Sequence, residues 1–269
     1  MSFDVRRQAR LAGADLAAGI RNWWLWYVLG LSEVRQRYRR SVLGPFWVTI
    51  SMGVQAAVTG FLLAFLFRID VGRYLPFICI SLVTWTFIST SVIEGANCFI
   101  QQGPTILQVK RPYSTYMLLL LWRNALIYLH TVVIFFVAAL AFGMVPSTTY
   151  LLIPAGLALL LLNVAWMALA AGVVSARFRD IPLLVQNAFN VLMWLTPVFY
   201  HPDQLGEGTA RRIIELNPLA YVMEVARAPF MNQVPSAQAW AIAIALAVAG
   251  WLMAFALFAR ARARIAYWL

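Results

Sequence analysis

The sequence predicts an all-α integral membrane protein with six transmembrane helices behind an N-terminal amphipathic, interfacial helix. Three observations predict it. Of 269 residues, 62% are hydrophobic and only 12% charged, and the mean hydropathy is +0.76. A soluble domain of this length cannot enclose so much apolar surface in one core. The apolar residues fall in long runs, and a hydrocarbon layer of roughly 30 Å needs about 20 of them per helix. The one lysine and the arginines then gather mostly on one side of the layer that those runs would cross.

Residues 1–44 form a polar, basic N-terminal region, and 45–269 a six-span membrane domain. "PFWVTISMGVQAAVTGFLLAFLF" (45–67) is the first span, ended by Arg68. The second lies near 75–96, and "NCFIQQGPTILQVKRPY" (97–113) reads as a loop with a Gly-Pro break. The third runs over 115–143, long enough to tilt or project beyond the bilayer. The fourth covers 150–174 and the polar turn "SARFRDIP" precedes the fifth, 182–200. Residues 201–237 are polar, and the last span, 238–259, ends in "RARAR".

Counted by side, 15 basic residues lie with the two termini, the 97–113 loop and the 175–181 turn, against 5 on the other side. The excess places both termini in the cytoplasm, which six spans also require. The net charge of +11 sits beside apolar stretches, so membrane lipid and topology explain it, and nucleic acid is not implied. The first 20 residues hold no apolar core segment, so no cleavable signal is expected.

"VRQRYRRSVLGPFW" (34–47) carries Arg35, Arg37, Arg39 and Arg40 directly before the first span. At helical spacing Trp23, Tyr27, Leu31, Val34 and Tyr38 share one face, with Glu33, Gln36, Arg37 and Arg40 on the other. Trp and Tyr favour the headgroup level. This describes a helix along the inner membrane surface that turns upward at Gly44-Pro45. Taken alone, the arginines are equally well read as topology markers.

Several chemistries are missing. A phosphate loop needs a lysine after glycine, and the one lysine, Lys110, follows Val109. Neither His130 and His201 nor Cys79 and Cys98 have the spacing of a metal site or a disulfide framework, so no metal and no catalytic residue is assigned. Glu94 and Arg123 are the ionisable residues inside spans, either anchored toward the headgroups or part of a transport path. An intramembrane enzyme acting on polyprenyl-linked sugars needs paired carboxylates or a His–acid pair at the membrane face, and a proton-coupled secondary transporter a midplane carboxylate. Neither feature is evident.

"RQRYRRSVLGPFW", through Tyr38, Arg39, Ser41, Leu43, Gly44 and Trp47, closely resembles the lead-in to the first span of permease subunits of polysaccharide-exporting ABC transporters. These export O-antigen, teichoic acid, capsule or lipo-chitooligosaccharide. "RFRDIP" (177–182), "LTPVFY" (195–200) and "LNPLAYVMEVAR" (216–227) match in the expected order, so the resemblance spans nearly the whole chain. Many relatives have a proline early in the first span, where this chain reads "VTISMGVQ".

The resemblance implies a homodimer with two copies of a separate ATPase, which holds the ATP and Mg, and export of a polyprenyl-diphosphate-linked polysaccharide across the bacterial inner membrane. Arg35, Arg37, Tyr38, Arg39 and Arg40 would form the lipid-head entrance. Lys110, Arg111, Arg179 and Asp180 would face the ATPase, or else be solvated loop charges. "TARRIIELNPLAYVMEVARAPF" would form two short re-entrant extracytoplasmic helices closing the channel, with Asn217, Pro218, Glu224 and Arg227 at the gate. The alternative for this segment is a surface loop. Glu224 and Arg227, three apart, are placed to pair. Trp47, Trp85, Phe87, Trp122 and Trp194 are the aromatics available to stack on sugar in the channel, though periodicity does not separate lumen from lipid.

Overall fold

The computed structural model describes residues 5–37, 46–201, 204 and 208–269, and among these the chain is helical with no strand. The α-helices are α1 (Val5–Arg21), α2 (Trp23–Arg37), α3 (Phe46–Phe67), α4 (Val71–Gln101), α5 (Gly103–Gln108), α6 (Tyr113–Thr131), α7 (Val133–Ala141), α8 (Ile153–Arg177), α9 (Ile181–Leu195), α10 (Thr209–Glu215), α11 (Pro218–Arg227) and α12 (Ala237–Trp268).

Five segments are long and apolar enough to cross a membrane: α3, α4, α6 with α7, α8 with its leading 3₁₀ turn, and α12. The expected fifth span is shorter than its apolar run. It stops at Leu195, and 15 residues at 1.5 Å each give about 22 Å against a layer of roughly 30 Å. The cause is Pro197. Its ring pushes Thr196 out of the helical region, to φ −99° and ψ 139°, and the helix cannot continue.

The expected third span is present as α6 with α7, 29 residues with a single turn residue, Val132, between them. There the Thr131 hydroxyl donates to the carbonyls of Ile127 and Tyr128, both at 3.0 Å, which competes with the helical ladder. In contrast α4 and α12 extend past the apolar runs, α12 carrying its helix through Arg260, Arg262 and Arg264.

α4 is the most enclosed helix, packed between α8, α3, α6 and α9. Small residues let it approach α8 closely. A Cβ on Gly95 would stand 2.6 Å from Ala168 Cβ, and one on Gly172 2.7 Å from the Gly95 carbonyl oxygen. Helices in a membrane gain association from such backbone proximity. Gly156 serves α11 similarly, where a Cβ would meet the Val225 carbonyl at 2.5 Å.

The antiparallel spans define two ends. At one, the close of α4, α8 and α12 meets the start of α6 and α9. At the other, the start of α4, α8 and α12 meets the close of α9 and the short helices α10 and α11. α9 therefore runs from one end to the other: Arg179, just before it, donates to the Trp268 carbonyl at 3.0 Å, and Thr196, just after it, accepts from Asn217 at 2.9 Å.

Candidate functional site

The end holding both terminal helices is built around Asp15. Its side chain is fully buried, and its carboxylate accepts from the backbone N–H groups of Tyr113 (3.2 Å) and Ser114 (3.0 Å) and from the Ser114 hydroxyl (2.9 Å). Asp15 thereby caps α6 from a distant helix, satisfying donors that a helix start leaves unpaired. Arg262 of α12 closes the cluster with Nε 2.9 Å from Asp15 and its guanidinium 5.8 Å from the Tyr113 ring. α1, α6 and α12 are thus clamped together.

Around this clamp lie the residues expected to meet an ATPase. Lys110 and Arg111 sit in the link between α5 and α6, Lys110 exposed. Arg179 and Asp180 are exposed in the link between α8 and α9, with Asp180 at the helix boundary but its side chain making no cap. Arg177 and Arg264 bracket the Trp268 ring at 5.8 and 5.6 Å. The two links therefore open on the same end, joined to the last turn of α12.

α2 departs from its expected orientation. It packs along α6: Tyr27 stacks on Trp122 with centroids 5.3 Å apart, and Gly30 is buried against Trp122 and Leu119. Glu33, expected on the outward polar face, points inward to Arg123 at 2.7 Å. Arg123 also holds Glu94 at 2.6 Å, and Asn124 donates to Glu94 (2.9 Å) and to Ser91 (3.3 Å). The attraction of a largely buried guanidinium for a second carboxylate turns Glu33 in. Trp23 and Trp24 remain more than half exposed, a surface suited to headgroups. Of the entrance residues Arg35 is exposed at the end of α2, which closes at Arg37. Tyr38, Arg39 and Arg40 lie outside the described residues.

At the opposite end the chain breaks between α10 and α11 as expected around Asn217-Pro218. Asn217 Oδ1 accepts from Leu219 N at 3.0 Å, capping α11, while Nδ2 donates to Thr196 Oγ1 and to the Leu195 carbonyl. Pro218 takes the first-turn position where its missing N–H costs nothing. Glu224 and Arg227 do not pair with each other. Glu224 accepts from Ser236 N at 2.8 Å, at the start of α12. Arg227 turns instead into the bundle, donating to Ser81 Oγ (3.0 Å) and the Pro197 carbonyl, with Phe77 4.3 Å beneath it. These oxygens and the ring face offset part of its desolvation, and no carboxylate among the described residues pairs with it directly.

Residues 25–231 match the family model described as ABC-2 type transporter. The chain belongs to that family. It is 24% identical over 208 residues to the O-antigen export system permease protein RfbA of Myxococcus xanthus, covering 77% of this chain and 80% of that one. A protein of the same name from Klebsiella pneumoniae is 24% identical over 209 residues, covering 76% and 79%. This ABC-2 chain is a multi-pass membrane permease, and its matched region runs from α2 through α11, taking in both the Glu33–Arg123 pair and the Asn217 cap.

The five aromatics separate by environment. Trp85 and Phe87 are buried within the single chain, Trp85 tilted against Phe189 (5.9 Å) and Phe87 against Tyr128 (5.2 Å). Trp122 is covered by α2. Only Trp47 on α3 (58% exposed) and Trp194 on α9 (68%) present open rings. Among the described residues there is no group of His, Cys, Asp or Glu able to hold a metal, and Cys79 and Cys98 are buried free thiols. Sequence reasoning passed over Asp15, Ser114 and Arg262. The available signal was a single acid in the Ala/Gly-rich stretch "LAGADLAAG", which a buried, partnered carboxylate explains.

Proposed function

We propose that this permease exports a lipid-linked, O-antigen-like polysaccharide across the bacterial inner membrane, as a homodimer driven by two copies of a separate ATPase. The observation that carries the reading is the similarity to O-antigen export permeases over about four-fifths of their length. The glycan's polyprenyl diphosphate would approach the basic segment at Arg35, Arg37, Arg39 and Arg40, where an anionic head is attracted. ATP and Mg belong to the partner subunit.

The geometry supports a division of labour. Lys110, Arg111, Arg179 and Asp180 open on one end beside the α12 terminus, where an ATPase can push on the links that join the spans. Such a push moves α6 and α12 as one body, because Asp15 ties them. α9 connecting the two ends supports six crossings with both termini in the cytoplasm. The α10–α11 pair then lies extracytoplasmically as the re-entrant gate, its irregular backbone tolerated because it is packed in protein. A channel between two copies draws its walls from faces exposed in one chain, which favours Trp47 and Trp194 over Trp85, Phe87 and Trp122 as sugar-stacking rings.

The test is genetic and biochemical. In the source cell, deletion of this chain should leave polysaccharide inside the inner membrane, and an ATPase bearing a phosphate loop should co-purify with the tagged permease. Normal surface polysaccharide in the deletion strain refutes the proposal.

A further inference from the structure

α10, α11 and the start of α12 line a half-open cavity of about 810 Å³ and mixed polarity at the end of the bundle opposite Asp15. Arg227 lines it, although only 6% of that residue is exposed. One nitrogen, Nη1, makes both of its protein hydrogen bonds, to Ser81 and Pro197. Among the described residues the rest of the guanidinium meets no acceptor. Among the described residues no carboxylate pairs with it directly: Glu224, one turn earlier, acts on it only at a distance while accepting from Ser236 N, and Glu215 is engaged by Arg211 at 2.9 Å. Burial accordingly pushes the Arg227 pKa down to about 10. A buried cation with open donors and no directly paired carboxylate is costly unless something else supplies the charge.

The rest of the wall repeats the theme. Arg212 is exposed on the cavity side of α10 with no ion-pair partner among the described residues, and Gln233 and Gln238 add neutral donors. A planar guanidinium with adjacent free N–H groups matches two oxygens of one oxyanion. We infer that this cavity is an oxyanion site of phosphate or diphosphate class, with Arg227 at its floor and Arg212 at its rim. The anion displaces water, completes the hydrogen bonds of Arg227 and draws Arg212 inward. The inference stands apart from the export reading, since it requires no particular glycan or direction of transport. A phospholipid head and a diphosphate outside the lipid layer both present this chemistry.

The test titrates the full-length permease, purified in an uncharged maltoside detergent, with inorganic pyrophosphate in a calorimeter. Saturable binding at one site per chain is expected. Arg212→Gln, at an exposed position, should weaken it by about tenfold or more, the loss of one charge-assisted contact. Arg227→Lys keeps the charge but loses the fork and should weaken it comparably, while Glu224→Gln removes a repelling charge and should tighten it. Repeating the titration in nanodiscs with and without phosphatidylglycerol assigns the source. Competition by the anionic lipid identifies a headgroup, and undiminished pyrophosphate binding identifies a diphosphate from outside the lipid. No saturable binding by the unaltered protein, or affinity in Arg212→Gln and Arg227→Lys undiminished from that of the unaltered protein, overturns the inference.

Discussion

The Glu33 carboxylate on α2 lies 2.7 Å from the Arg123 guanidinium on α6, although 90 residues separate them in the chain. With Glu94 at 2.6 Å on the other side, one cation holds two acids and joins the pre-membrane helix to two spans. Arg123→Met removes the shared partner and leaves Glu33 and Glu94 facing each other. The expected cost is about 3 kcal/mol, read as a lower Tm in detergent. Glu33→Gln should cost only about 1 kcal/mol, because that side chain is a third exposed and the Glu94 contact survives.

Asp15 supports a second prediction. Asp15→Ala removes the cap on α6 together with the Arg262 contact, for an expected loss of about 2–3 kcal/mol. Arg262→Ala should lose less, since the cap remains. α1 carries Arg6, Arg7 and Arg10, so trypsin should cut there faster in Asp15→Ala than in the unaltered protein, reporting that α1 has come away.

Two glycines should respond in opposite directions. Gly95→Ala forces α4 away from α8, with an expected cost of about 1–3 kcal/mol. Gly13, in α1, has nothing within 4 Å of an added Cβ, and Gly13→Ala should be neutral or stabilise by up to about 1 kcal/mol. Thermal unfolding of the pair measures how much of the fold depends on backbone proximity.

The basic lead-in gives a functional prediction. Replacing Arg37, Arg39 and Arg40 together by Gln should impair export while insertion and ATPase binding stay normal. Unchanged surface polysaccharide in that variant would reduce the three to topology markers.

Much of the helical plan was legible because apolar run length is a local property. Five of the expected spans correspond to α3, α4, α6 with α7, α8 and α12, and the break at Asn217-Pro218 follows from proline chemistry. The end of α9 was legible in principle, through Pro197, but the apolar "VFY" beyond it masks the stop. Helical spacing puts Glu33 on the face opposite the aromatic stripe, and only the fold brings Arg123 beside it. Asp15 and Ser114, 99 residues apart, leave no trace in periodicity. Trp85 and Phe87 show the same limit. Ring type does not distinguish a core side chain from one that faces a channel.

The central claim is that this permease moves glycan only under the drive of a separate ATPase. The most direct measurement reconstitutes the purified permease in proteoliposomes with a polyprenyl-diphosphate-linked polysaccharide, with and without the co-purifying ATPase. The account predicts ATP-dependent appearance of glycan on the far side only when both subunits are present. Transport or chemical modification of the substrate by the permease alone would contradict it.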